Sequence, residues 1–132
     1  MKFFVKLFLS AFLVFSVPFS VGAQDDVVVT KQYDDGGMYE GTFKNGLQHG
    51  IGTYRLPNGY EYSGEWVDGE ILGVGVAKFP NGSVYEGNFI KGKPEGSGKI
   101  IFADGGTYEG TWLDGKITGQ GIAVYANGSR FE

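Results

Sequence analysis

The 132-residue sequence contains no cysteine, one histidine and four prolines. Without cysteine there can be no disulfide framework, thiolate metal site, cysteine nucleophile or lipidated N-terminal cysteine. A single histidine excludes metal sites built from several imidazoles, and most imidazole-based catalysis. Because proline is scarce and no Gly-X-Y period is present, the 24 glycines belong neither to collagen nor to a low-complexity linker. These absences remove several classes of enzyme and metalloprotein.

The residues that are abundant are apolar and aromatic. Hydrophobic residues make up 42% of the sequence and aromatic residues 16%, which is too apolar for a disordered chain. The formal net charge is −4, and lysine and arginine form no stripe. Binding to a phosphate backbone depends on clustered basic residues. We therefore predict a folded domain that has no nucleic acid as a partner.

The first 23 residues have the features of an export signal in the usual order. Lys2 and Lys6 form a basic start, and an apolar run follows over residues 7–17. Small residues at 21–23 suit cleavage near Ala23. An uncleaved spanning helix is the alternative, but it needs about 20 apolar residues, and charged and proline residues interrupt the one candidate window. We predict a helical signal peptide over residues 1–23 and an exported protein, periplasmic or secreted.

Cleavage would make the chain more acidic. It removes two of the 11 basic residues and none of the 15 acidic ones, so 109 residues remain with nine bases, 15 acids and a net charge of −6. This charge opposes binding to an anionic lipid surface.

The sequence after the leader is one unit repeated every 23 residues. Aromatic residues and glycines recur at fixed positions without insertion or deletion. Residues 24–38 are predicted to form a capping strand and turn, and residues 131–132 to begin a truncated fifth unit. The four complete units are 39–61, 62–84, 85–107 and 108–130.

The repeated pattern is Tyr-Glu-Gly-x-Phe/Trp-x-x-Gly-x-x-x-Gly-x-Gly, as in residues 39–52. It resembles the MORN repeat family, and so does the His49-Gly50 pair of the first unit. Ser63 departs from the pattern at the glutamate, and Ala103 and Ala126 replace the proline before a turn. The resemblance implies scaffolding, dimerisation or targeting, while the family name refers to membrane occupation.

Each unit is predicted to be two antiparallel strands. Tyr39, Gly41 and Phe43 alternate with polar residues, which is the period of a strand with one apolar face. No segment has a helical period, so we predict an all-β, elongated antiparallel meander, or solenoid, of hairpins, in one curved sheet. Two strands per unit advance the sheet by about 10 Å.

The strand register follows from keeping apolar residues on one face. A three-residue loop at 57–59 pairs Tyr54 with Tyr62. The other loop of each unit must then have an even length. We favour six residues, 45–50, which places Phe43 opposite Gly52 and lays aromatic rings over glycines. Two or four residues remain possible.

The repeated aromatic side chains are the main candidate for a binding face. They could stack against sugar rings or hold an apolar segment of a partner, or they could pack on one another and on the glycine backbone. Their strict repetition favours packing. This candidate interaction face consists of Tyr39, Phe43, Tyr62, Trp66, Tyr85, Phe89, Tyr108 and Trp112.

Other chemical motifs are weak. The Gly-x-Gly pairs lack the third glycine and the helix that a dinucleotide site requires. Asp68 and Asp114 lie two units apart, too far for paired carboxylate catalysis. Glu86 and Glu109 are expected to form a solvated row, and His49 has no repeated partner. We predict no catalytic residue, no cofactor and no metal.

We therefore expect a non-catalytic structural or protein-interaction module that acts as a scaffold or targeting element. The alternative is a ligand-binding module that takes glycan or lipid headgroups on the aromatic face. The strand before Phe131 has little covering its outer edge, so we expect self-association or capture of a partner strand there. The sequence could instead be a fragment of a longer protein.

Overall fold

The computed structural model describes residues 5–8 and 27–132, and all of its strands belong to one open antiparallel sheet. Each strand pairs with the next one along the chain, so the order in the sheet is the order in the sequence. The strands are β1 Val5–Phe8, β2 Val28–Gln32, β3 Met38–Lys44, β4 Leu47–Arg55, β5 Glu61–Val67, β6 Glu70–Lys78, β7 Val84–Ile90, β8 Lys93–Ile101, β9 Thr107–Leu113, β10 Lys116–Val124 and β11 Arg130–Phe131. The predicted all-β antiparallel meander is confirmed.

Most of the predicted signal peptide, residues 1–23, lies outside the described residues. The part of it that the structure describes is β1, which pairs with β2. Within the described part of the chain, no helix is long and apolar enough to cross a membrane.

The three-residue turns between units form as predicted. Tyr54 pairs with Tyr62, and Gly52 pairs with Gly64. The amide of Leu56 donates to the carbonyl of Tyr60 across the turn at 2.9 Å. The Asn58 side chain accepts from the Tyr60 amide at 2.9 Å, an Asx turn that stabilises the loop locally.

The favoured six-residue loop within each unit is wrong. Phe43 pairs with Gln48, not with Gly52, and Gly41 pairs with Gly52. The loop is the two-residue turn Asn45–Gly46, in which φ is 52° at Asn45 and 80° at Gly46. Positive φ at both positions is the geometry of a type I′ turn, whose twist matches that of the flanking strands.

A bulge restores the alternation that the shorter loop would otherwise disturb. Three residues of β4 lie between Gln48 and Gly52, whereas one residue of β3 lies between their partners. Gly50 in this bulge has a φ of 89°, a left-handed conformation that glycine adopts without steric cost. Two extra residues keep the parity even, so the apolar residues stay on one face.

Candidate functional site

The first tyrosine of each unit covers glycines of its own hairpin. Tyr62 has no exposed surface. A Cβ added at Gly75 would lie 2.5 Å from the Tyr62 hydroxyl and 2.6 Å from its Cζ. The expected ring-over-glycine contact is present, but with another partner than expected: the ring of Tyr39, rather than that of Phe43, lies over Gly52 and over its paired glycine Gly41.

The hydroxyls of these tyrosines bond to the backbone. Tyr39 donates to the Thr42 carbonyl and Tyr62 to the Glu65 carbonyl, both at 2.8 Å. Tyr85 donates to the Asn88 carbonyl at 2.9 Å. Burial raises the pKa of Tyr39, Tyr62 and Tyr85 above the ordinary tyrosine range, because the phenolate would lose its hydration. These phenols therefore keep their protons to a higher pH than a free tyrosine does.

The second aromatic residue of each unit joins neighbouring hairpins. The Trp66 ring lies edge-to-face with Tyr39, 5.1 Å between centroids, and with Tyr62 at 5.6 Å. Its Nε1 donates to the Gly52 carbonyl at 3.1 Å. Phe89 contacts Tyr62 and Tyr85 in the same way, at 5.0 Å each. Each such pair adds about 0.5–1.5 kcal/mol to simple burial, so the ladder of rings connects the units.

The candidate interaction face is consequently an interior. Seven of its eight residues have at most 7% of their surface exposed, and the eighth, Phe43, is half-buried against Tyr39. A ring with no exposed face cannot stack on a sugar or receive a partner segment. The structure thus places these residues in packing, the role that their repetition favoured.

His49 and the turn aspartates also have structural positions. The Nδ1 of His49 accepts a hydrogen bond from the Asp68 amide at 3.2 Å, and the Asp68 carboxylate lies 3.6 Å from it. Asp68 and Asp114 occupy the left-handed first position of two-residue turns. The Asp114 amide donates to the Glu95 carboxylate at 2.9 Å, the same link between units. His49 and Glu95, at this position of the first and third units, therefore each accept from the turn of the following unit.

The glutamates Glu86 and Glu109 flank Lys99 on the opposite face of the sheet. Lys99 pairs with Glu86 on one side and with Glu109 on the other. All three line an open groove of about 590 Å³, together with Val74 and Thr111. Lys99 lies on the strand between the two glutamates, so the carboxylates are two strand spacings apart. This is the arrangement of a charged row rather than of a catalytic pair.

Potential metal ligands do not cluster in the described residues: no group of three or more histidines, aspartates or glutamates is placed to hold an ion there. The Gly50-Ile51-Gly52 segment, considered above for phosphate, lies in the bulge and over the Tyr39 ring. Its amides therefore belong to a strand and do not form a phosphate-binding loop before a helix.

One exposed surface was not anticipated from the sequence. Each hairpin carries an aliphatic side chain beside its two-residue turn, on the face opposite the rings. We call these residues the apolar row: Leu47, Val67, Ile90 and Leu113, with 46%, 38%, 47% and 60% of their surface exposed. A charged residue pairs with each of them: Lys44, Glu70, Lys93 and Lys116.

A signal for this row exists in the sequence. Val67, Ile90 and Leu113 are 23 residues apart, and each directly follows a buried aromatic ring. Alternation along a strand then places them on the outer face. A repeated apolar residue at an outward position needs an explanation other than the core.

Comparison with known families identifies the repeat. A family model for the MORN repeat matches residues 39–59, 62–84, 85–107 and 108–130. Such repeats are generally modules for interaction with proteins or membranes, and the family is generally non-catalytic. No curated protein matches the sequence.

Proposed function

Since the chain belongs to the MORN repeat family, we propose that it is a non-catalytic protein-interaction module that acts outside the cytoplasm as a scaffold or targeting element. The observation that supports this most is the apolar row. Its first two side chains lie on the adjacent strands β4 and β5, about 5 Å apart, and the other two follow at intervals of about 10 Å along the sheet, which gives a narrow apolar row roughly 25 Å long.

The chemistry of the apolar row suits a protein partner. Burying aliphatic surface is favourable by roughly 25 cal/mol per Å² before the costs of association are subtracted, and the charged residue beside each member supplies a polar rim. Two of the neighbouring charges at the C-terminal end are Lys93 and Lys116. Lys93 is already paired with Asp114 at 3.2 Å. Residues of both charge signs therefore lie beside the apolar row.

Site-specific crosslinking tests the apolar row directly. A photoreactive amino acid is placed at Ile90 in the full-length protein in its own cell, and at Asp104 as the control. Asp104 is also exposed but lies on a three-residue turn at the other margin of the sheet. We expect one discrete crosslinked protein from Ile90 and none from Asp104. Equal products from the two positions contradict the proposal.

A substitution test accompanies the crosslink. Val67→Ser and Leu113→Ser together should abolish the Ile90 crosslink while leaving the unfolding midpoint almost unchanged, because exposed side chains contribute little to stability. A crosslink that survives this double substitution shows that the row does not bind the partner.

The outer edge of β10 is the second part of the proposal. Within the described residues, β11 pairs only with Ala123 and Val124, so the rest of β10 presents unpaired backbone groups. Such an edge accepts another strand, and we propose that a second copy or a partner strand adds there. Sedimentation across a range of concentrations should show association. A strict monomer at high concentration contradicts this part.

Export is proposed on the leader alone. Sequencing the N-terminus of the mature protein from its own cell should find Gln24 as the first residue. A retained Met1, or a protein that stays in the cytoplasm, contradicts the proposal.

A further inference from the structure

A pocket of about 330 Å³ lies at the N-terminal end of the repeats, on the face that carries the aromatic rings. Its volume falls within the range of roughly 300–1,000 Å³ that is usual for small-molecule sites. The side chains that line it are Tyr33, Asp35, Gln48, Tyr54, Tyr60, Trp66 and Ile71. Aromatic walls combined with a carboxylate and an amide distinguish it from the groove on the other face.

The polar residues of the pocket are departures from the repeat. Later units carry alanine or isoleucine at the position of Tyr54, serine or glycine at that of Tyr60, and isoleucine or proline at that of Gln48. The other three units fold with those smaller or apolar residues. The fold therefore does not require a hydroxyl or an amide at these positions.

The pocket hydroxyls are also free, unlike those of the core. The four repeated tyrosines donate to backbone carbonyls. Among residues 27–132, by contrast, the hydroxyls of Tyr54 and Tyr60 have no hydrogen-bond partner. The hydroxyl of Tyr33 accepts from Gln48 Nε2 at 2.7 Å, and its own proton is not donated within that range. Three phenolic donors thus remain for a ligand.

A carboxylate supplies the matching acceptor. A Cβ added at Gly37 would lie 2.7 Å from the Tyr54 hydroxyl and 2.9 Å from Asp35 Oδ1, so these two groups border one small space. Asp35 Oδ1 already accepts from the Gly37 amide at 2.7 Å, and its other oxygen accepts no hydrogen bond from residues 27–132. Burial, and then the charge of Asp35, raise the pKa of Tyr54, so its hydroxyl keeps the proton that it can donate.

We propose that this pocket binds the pyranose ring of a neutral sugar. The C–H face of the sugar packs on the half-buried tyrosine rings, which are apolar bodies with polar tips. The sugar hydroxyls accept from the tyrosine hydroxyls and donate to Asp35 and to the Gln48 carbonyl oxygen. Because a site with fixed polar groups rejects ligands that leave them unpaired, it selects a polyhydroxylated ligand.

A quaternary ammonium is the competing ligand for an aromatic pocket. It has no hydrogen-bonding group, so it would leave the three phenols unpaired. In addition, the Lys31 ammonium already lies 5.1 Å from the centroid of the Tyr33 ring and would repel a second cation there. The inference is independent of the proposed protein-binding role, since the apolar row lies on the opposite face.

Trp66 provides a probe inside the pocket. The substitution Trp112→Phe leaves it as the sole tryptophan, and phenylalanine is native at that position in two units. Glucose, galactose, mannose and N-acetylglucosamine are titrated separately into the full-length protein while Trp66 emission is recorded. We expect a saturable change with at least one of them.

Three substitutions in this background locate the binding. Tyr54→Phe should weaken it about three- to tenfold, the effect of one lost hydrogen bond. Tyr54→Ala and Gln48→Ile, which introduce residues found in later units, should each remove it. Tyr125→Ala is the control, because this tyrosine is exposed but lies at the other end of the repeats. Its titration should be unchanged.

Unfolding midpoints confirm that each variant is folded before it is titrated. No emission change with any of the four sugars overturns the proposal. A change that persists in both Tyr54→Ala and Gln48→Ile also overturns it, because the sugar then binds elsewhere. Saturation by choline chloride without saturation by a sugar assigns the pocket to a cation and overturns it as well.

Discussion

Replacing Gly75 with alanine tests whether tyrosine rings lie on glycine backbone. The added Cβ would lie 2.5–2.6 Å from the hydroxyl and Cζ of Tyr62. The tyrosine is fully buried and bonded through its hydroxyl, so it has little room to move. Overpacking typically costs 1–3 kcal/mol, and we expect about 3 kcal/mol here. Urea unfolding followed by tryptophan fluorescence should show the midpoint lowered by about 1–2 M.

The matched control is Gly119→Ala. A Cβ at Gly119 meets no atom within 4 Å, and its φ is not in the left-handed region. Its unfolding free energy should stay within about 0.5 kcal/mol of the parent protein. In a Tyr62→Ala background the cost of Gly75→Ala should also fall to about 0.5 kcal/mol, since the ring that it meets is gone. A Gly75→Ala variant as stable as the parent protein would show that the Tyr62 ring does not lie on this glycine.

Two further predictions concern alkaline pH and a strained turn. The raised pKa of Tyr39, Tyr62 and Tyr85 means that stability is intact below about pH 10, the ordinary tyrosine value. Stability then falls as the pH rises further, because the unfolded chain releases protons that the folded one retains. Tyrosinate absorbance for these three should appear together with the loss of circular dichroism; ionisation of all eight tyrosines with the sheet intact would count against it. Lys91 has a φ of 51° at the first position of a two-residue turn, where asparagine is favoured. Lys91→Asn should therefore raise the unfolding free energy by about 0.5–1 kcal/mol, and Asn45→Lys should lower it similarly; thermal melts that show no difference would contradict this.

The period and the composition of the turns were sufficient to predict most of the fold. Alternation around Tyr39 and Tyr62 gives the strands and their apolar face. The Pro57-Asn58-Gly59 turn was predictable because its residues suit the φ values that the loop requires. These are local signals, and each repeats four times, which makes them readable from one sequence.

The loop within each unit was not predicted, because parity allows two, four or six residues. The Asn45-Gly46 dipeptide was available as a signal for a two-residue turn. The bulge at Gly50 obscured this signal. Two extra residues in β4 leave the apolar residues on the same face as a loop longer by an even number of residues would. A left-handed glycine in a strand cannot be distinguished from a loop glycine by its spacing alone.

The surfaces that bind were harder to predict than the core. Periodicity marks the buried rings such as Trp66, and these support the fold. Three residues of the apolar row, Val67, Ile90 and Leu113, have the same period but point outward, so their meaning depends on knowing the strand faces. The polar residues of the pocket around Tyr54 do not recur in the later units. Only the three-dimensional structure shows that they lie together.

The repeated aromatic rings form the interior of a single sheet and are not a binding face. Acrylamide quenching of Trp66 and Trp112, each with 6% of its surface exposed, measures this most directly. Buried indole rings should give blue-shifted emission and quenching several-fold weaker than in the urea-unfolded chain. Quenching of the folded protein as strong as that of the unfolded chain would contradict it.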